Sequence, residues 1–184
     1  MPFIETGIQG LLVYEPTVFG DNRGYFFESF NQNVFVKQGI DIQFVQDNQS
    51  FSKYGAIRGL HYQLPPHAQT KLVRVLSGAI LDVAVDVRKG SPTYGKVFSI
   101  ELTADNKKQL FVPKGFAHGF SVLSETAEVM YKCDAFYNKA SEEGIIYNDP
   151  QLGIDWKIPA GKELVSEKDL LLPTLSKARN DFQF

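Results

Sequence analysis

The chain has 184 residues, 43% apolar and 22% charged, ordinary globular usage that excludes a fibrous or disordered protein and bounds the answer near one domain, residues 1–184. Nineteen basic against 21 acidic residues leave a net charge of −2; with no long basic run, neither a nucleic acid nor a charged membrane surface is expected as partner. Cys133 is the single cysteine, which rules out an internal disulfide and a multi-thiolate metal site. Without a basic-then-apolar leader or a run of 18 apolar residues, a cytoplasmic protein with no membrane segment is expected.

Phenylalanine (15) and tyrosine (8) are abundant, and β-branched neighbours favour strands. Leu11–Val18, Tyr25–Phe30 and Ile42–Gln46 are the first candidate strands, with Asn31 placed to cap a short helix ending near Gly39. Gly55–Gln63 and Lys71–Leu76 follow. Ser77-Gly78 reads as a tight hairpin turn into Ala79–Val87, whose Leu81, Val83, Val85 and Val87 share one face and leave Asp82 and Asp86 on a face expected in solvent. Lys96–Leu102, Gln109–Val112, Ala117–Leu123 and Glu128–Tyr137 complete ten strands, a sandwich or barrel by spacing. From about Asp149 an irregular tail is expected, with Ser166 capping a helix near Lys168–Leu172.

Chemistry-bearing residues are few. His61 lies in a strand with Gly59 inside it, the mark of a bulge or a close backbone approach; the adjacent Arg58 suits an anionic ligand, and a hydrogen-bonded core histidine is the plain alternative. His118 closes a Pro-x-Gly-x-x-His string that resembles the second cupin motif. The first motif's His-x-His pair and glutamate are missing, since the matching stretch offers His61, Gln63 and Lys71, a poor transition-metal site. Tyr131 and Tyr137 share a face of Glu128–Tyr137 with Cys133, leaving room for a ligand or forming an aromatic core. Lys71 either snorkels at a strand edge or aims its ammonium at an anion. Asp169 either completes a capping box with Ser166 or orients a histidine. Phe19 and Arg23, in a turn followed by Glu28, could stack a base and grip a phosphate; the usual glycine-rich phosphate cradles are absent.

Taken together, the strings VFGDNRGYFFES, FVQDNQS, IRGLHYQ, KLVRVLSG, DVAVDVRKGSPTYG, QLFVPKGFAHGF and the NDP…GIDW tail, from Leu11 to about Pro173, closely resemble the dTDP-4-dehydrorhamnose 3,5-epimerase family. The resemblance implies an all-β, cupin-like jelly roll (a double-stranded β-helix) with short peripheral helices. It implies a homodimer that exchanges N-terminal segments and works without metal or organic cofactor on a dTDP-4-keto-6-deoxy-hexose. In that reading His61 is the base, oriented by Asp169; Tyr131 is the opposing acid; Lys71 stabilises an enolate oxygen. Arg58 and His118 line the sugar and pyrophosphate site, and Gln46, Asp47 and Asn48 lie near the nucleotide. Tyr137 stacks near the base, while Phe19, Arg23 and Glu28 reach thymidine from the partner. Glu142, or Glu143 under a one-residue shift, and Lys168 are outer contacts. Inversion of both C3 and C5 is expected, a single-centre epimerase being the alternative.

Overall fold

A computed structural model of the chain describes residues 2–184. One sheet runs in the order β1 (Phe3–Glu5), β2 (Leu12–Tyr14), β10 (Gln109–Val112), β7 (Lys71–Ser77), β12 (Thr126–Cys133), β5 (Gln46–Lys53). The other runs β13 (Glu142–Gly144), β6 (Ala56–Gln63), β11 (Phe116–Val122), β8 (Ala79–Asp86), β9 (Val97–Thr103), with β14 (Leu164–Val165) added parallel to β6. A small hairpin, β3 (Phe19–Asp21) and β4 (Gly24–Phe26), stands apart. Among the described residues, two short α-helices, α1 (Gln32–Lys37) and α2 (Glu167–Leu170), and a 3-10 turn at Lys139–Ser141 lie outside the sheets. The two sheets face each other without closing: a jelly roll, mostly antiparallel, as the resemblance implies. No helix of the described residues is long and apolar enough to cross a membrane.

Both expected caps form. The Asn31 side chain accepts from Asn33 N and starts α1; Ser166 Oγ accepts from Asp169 N at 3.1 Å and starts α2. In each case a short polar side chain satisfies an orphan amide of the first turn. The hairpin expected at Ser77-Gly78 is absent. The chain does turn there, with Gly78 at φ +79°, but β7 pairs with β10 and β12 whereas β8 pairs with β11 and β9. The turn therefore carries the chain from one sheet to the other.

The apolar space between the sheets is filled by Val73, Val75, Leu110 and Val129 from one side and Ile80, Ala84, Leu102 and Phe120 from the other. The expectation that Asp82 and Asp86 face solvent is wrong: both have 0% exposure. Their neighbours of like parity, Ile80 and Ala84, belong to the inter-sheet core. The opposite face of β8, bearing Leu81, Val83 and Val85, is covered by Trp156, Leu175 and Phe182 of the tail, together with Ile145. The irregular tail thus roofs what would be an outer face, and β8 is buried on both sides. Alternation identified its two faces; only the tail decides that neither is wet.

Asp86 shows how such a carboxylate is tolerated. It accepts from Arg88 (2.9 and 2.8 Å), Ser91 Oγ (2.6 Å) and Thr93 Oγ1 (2.7 Å). Burial opposes its charge, yet these bonds outweigh burial and bring its pKa down to about 2. A depressed folded-state pKa stabilises the fold above the unfolded value near 4, and that contribution is lost as the pH falls toward 2. We expect the urea midpoint to fall more steeply between pH 4 and pH 2 in the wild type than in Asp86→Asn. Parallel slopes for the two proteins would contradict the network's role.

Candidate active site

The open end of the space between the sheets holds the chemistry. A cavity of about 690 Å³ is lined by Arg58, His61, Lys71, His118, Tyr131 and Asp169 among others; an adjoining one of about 320 Å³ has Gln46, Asn48, Tyr137 and Glu142 in its wall and shares His61, Lys71 and Tyr131. Three strands supply the shared groups, β6, β7 and β12, so an imidazole, an ammonium and a phenol face one continuous space.

Strict alternation would send Arg58 and His61, three residues apart, to opposite faces of β6. A bulge puts both inward. Opposite them, Phe120 pairs with Arg58 and His118 with His61, so two steps on β11 face three on β6. Gly59 makes this possible: its φ is +118°, and a Cβ there would lie 2.6 Å from Gly119 Cα and 2.7 Å from His118 O. Glycine is required on both counts. The close backbone approach read from Gly59 is therefore present, and Gly119 is its counterpart, with no room for a Cβ against Arg58 O.

His61 Nε2 lies 2.8 Å from Asp169 Oδ1. Of the two readings open for Asp169, the histidine partner holds. Its carboxylate accepts from His61 and from Gly59 N–H (3.3 Å), while the cap is made by the Ser166 hydroxyl alone. Burial pushes the Asp169 pKa up, but the His61, Gly59 and Ser166 bonds prevail and hold it below the usual range. An ionised carboxylate only accepts, which assigns the proton in the pair to Nε2 and leaves the Nδ1 lone pair as the basic site.

Lys71 reaches the cavity from the start of β7, its Nζ 5.8 Å from the centre of the Tyr131 ring. Burial lowers its pKa, against the pull of Cys133, Asp82 and Glu142; no carboxylate pairs with it directly among the described residues. The Tyr131 hydroxyl is pushed up in pKa by burial first and by Cys133 next, so it is a protonated donor at neutral pH. Arg58 Nε donates to Ser52 Oγ at 3.0 Å, which fixes the guanidinium at the cavity wall. Cys133 is buried and its thiol is raised to about 11, by burial above all, the state of a filler rather than a nucleophile. Among the described residues, no three His, Cys, Asp or Glu side chains are grouped to hold a metal ion.

Tyr137 arrives differently from expectation. The strand ends at Cys133, so Tyr137 is not on the face of Tyr131; it enters from the following loop, where its hydroxyl donates to Glu142 Oε2 at 2.9 Å. Lys168 Nζ donates to the same oxygen at 2.7 Å. Glu142 lines the cavity and Glu143 does not. The Asp47 side chain is on the outward parity of β5, paired with Lys132 at 3.0 Å, while Gln46 and Asn48 face inward. Phe19, Arg23 and Glu28 line neither cavity; Arg23 bonds Asp21, and Glu28 accepts from Asn31. Ser50, Ser52 and Gly119 also line the cavity and are not among the candidates named from the sequence. The serines could have been found, because Gln46, Asn48, Ser50 and Ser52 repeat a polar residue at every second position.

The chain is similar to proteins of known name along nearly its whole length. Residues 5–177 match the family model described as dTDP-4-dehydrorhamnose 3,5-epimerase. The dTDP-4-dehydrorhamnose 3,5-epimerase of Shigella flexneri is 53% identical over 171 residues, covering 92% of this chain and 93% of its own length. Among solved structures, the epimerase of the same name from Elizabethkingia anophelis superposes with a TM-score of 0.91 at 52% identity, covering 95% of this chain and 96% of its own. A dTDP-6-deoxy-D-glucose-3,5-epimerase from Legionella pneumophila, in complex with dTDP-4-keto-L-rhamnose, gives 0.91 at 47% identity, covering 95% and 93%.

Proposed function

The chain belongs to the dTDP-4-dehydrorhamnose 3,5-epimerase family, and from that premise we propose how its cavity carries out the reaction. The enzyme is an isomerase that inverts C3 and C5 of dTDP-4-dehydro-6-deoxy-D-glucose to give dTDP-4-dehydro-L-rhamnose, a step of dTDP-rhamnose synthesis. The carrying observation is that His61, Lys71 and Tyr131 all line the same two adjoining cavities.

The C4 ketone acidifies the hydrogens on C3 and C5. His61 Nδ1 removes one, and Asp169 steadies the imidazolium that forms. The electron pair moves onto the C4 oxygen as an enolate, toward the Lys71 ammonium, whose buried position makes its charge count more than it would in water. Tyr131 returns a proton to the opposite ring face, and the same carbon is thereby inverted. The nucleotide takes no part in bond changes; it supplies binding energy that holds the ring between base and acid. Arg58 and His118 line the wall for sugar and pyrophosphate, with Gln46, Asn48 and Tyr137 toward the nucleotide and Glu142 and Lys168 as outer contacts; Asp47, turned outward to Lys132, takes no part.

The tail supplies the partner of the β6 histidine, which supports reading residues 1–184 as one functional unit; in this reading the enzyme is a cytoplasmic isomerase that works without a cofactor. Phe19, Tyr25 and Phe26 are 63, 62 and 67% exposed on a projecting hairpin. That exposure supports a homodimer in which Phe19, Arg23 and Glu28 reach the partner's thymidine.

The test is direct: incubate the protein with dTDP-4-dehydro-6-deoxy-D-glucose and follow the sugar by proton NMR. Ring couplings of a product inverted at both C3 and C5 are expected. A product inverted at one centre would overturn the double reaction.

A further inference from the structure

His118 is held much as His61 is, by a group the reaction does not touch. Asp82 has 0% exposure, and its Oδ1 lies 2.8 Å from His118 Nε2. The other oxygen, Oδ2, is enclosed and has no hydrogen-bond partner among the described residues. A buried carboxylate with an idle oxygen is costly, and such groups are kept where they orient something. What it orients is clear from the topology. His118 pairs with His61 across the β6–β11 ladder and with Ala84 of β8, two residues from Asp82. The ring stands beside the base, its Nε2 is spent on Asp82, and its far edge looks into the cavity it lines.

Building on the epimerase reading above, we propose that Asp82 is a positioning residue: it fixes His118 as the Nε2–H tautomer, so that Nδ1 presents a lone pair that accepts a hydrogen bond from a hydroxyl of the substrate's sugar ring. In this tautomer Nε2–H donates to the Asp82 carboxylate oxygen 2.8 Å away. Cations already serve the acceptor atoms of the ligand: Lys71 the carbonyl, Arg58 the pyrophosphate. The hydroxyls next to C4 are donors and need an acceptor, and a neutral imidazole locked in this tautomer supplies one. Holding the hydroxyl adds binding energy for the sugar ring in the cavity. The contact exists before and during reaction, so it acts as uniform binding.

The test uses Asp82→Asn. The amide can donate to Nε2 and drive the proton to Nδ1, turning the acceptor into a donor. We expect KM for the keto sugar nucleotide to rise by about 10- to 100-fold, the range for an imidazole that loses its orienting partner at metal sites. The kcat should stay within about threefold, and the affinity for dTDP alone, which has no sugar ring at this position, should not change. Nitrogen-15 NMR of the His118 ring should report Nε2–H in the wild type and Nδ1–H in the variant. In a His118→Ala background, Asp82→Asn should cost nothing further. A fall in kcat at unchanged KM, an equal cost without His118, or unchanged kinetics would each overturn the proposal. If the variant fails to fold, the wild-type spectrum alone decides: an Nδ1–H or doubly protonated His118 at neutral pH refutes it. Failure here leaves wild-type turnover intact, whereas failure of the epimerase reading removes turnover altogether.

Discussion

Replacing His61 with alanine is expected to reduce turnover by about 10³-fold or more, at the upper part of the range for a general base, while dTDP binds within about threefold of the wild type. The reasoning rests on what the imidazole touches. Its Nε2 is committed to Asp169 and its other edge faces the cavity, so no other neighbour takes over the proton. The ring is partly exposed, and Asp169 keeps the Gly59 amide and the Ser166-capped helix after its loss. The fold therefore survives, and calorimetry should show a thermal midpoint within a few degrees. Isothermal titration with dTDP separates the outcomes: lost turnover with retained binding fits a base, whereas both lost together would mean that His61 shapes the pocket.

The second large effect is expected at a residue with no side chain. Gly59→Ala places a methyl group 2.6 Å from Gly119 Cα and 2.7 Å from a carbonyl oxygen, at a φ of +118°. Backbone strain and overpacking each cost about 1–3 kcal/mol, so a loss of about 3 kcal/mol or more is expected from urea unfolding. Turnover should fall further than stability explains, because the bulge aligns Arg58 with His61 and a displacement of about 1 Å costs about 10²-fold. Gly153→Ala is the control, since Gly153 has φ +56° but nothing within 4 Å of its Cβ position. It should show only a loss of about 1–2 kcal/mol from the left-handed backbone, with unchanged turnover. Equal behaviour of the two variants would mean that the close approach to Gly119 carries no weight.

How far the sequence could be read follows from where each strand's side chains go. Gln109–Val112 was placed to the residue and β6 to within one, because apolar alternation there reports a buried face. β5 was missed except for its first residue. Gln46, Asn48, Ser50 and Ser52 line the ligand space instead of the core, and a strand whose inward face is polar loses the alternation that announces it. The site concealed its own wall. The end of β12 was overshot for the opposite reason: an aromatic in the next loop prolonged an apparent period of two beyond Cys133. At Ser77-Gly78 the turn chemistry was right but the topology was not, because a glycine at positive φ serves an arch between sheets as well as a hairpin. Asp169 lay beyond any local argument. One serine three residues upstream fits a cap, and the bond to His61 spans 108 positions. Arg58 and His61 could be named, yet only the bulge explains why both face one ligand.

The account stands on a phenol and an imidazole addressing opposite faces of one sugar. The most direct measurement follows deuterium uptake from heavy water by Tyr131→Phe supplied with dTDP-4-dehydro-6-deoxy-D-glucose. With the acid removed and the base intact, label should enter next to the carbonyl with retained configuration while inversion stalls, because His61 returns the exchanged proton to the face it came from. Exchange that falls in step with inversion would contradict the assignment of Tyr131 as the opposing acid.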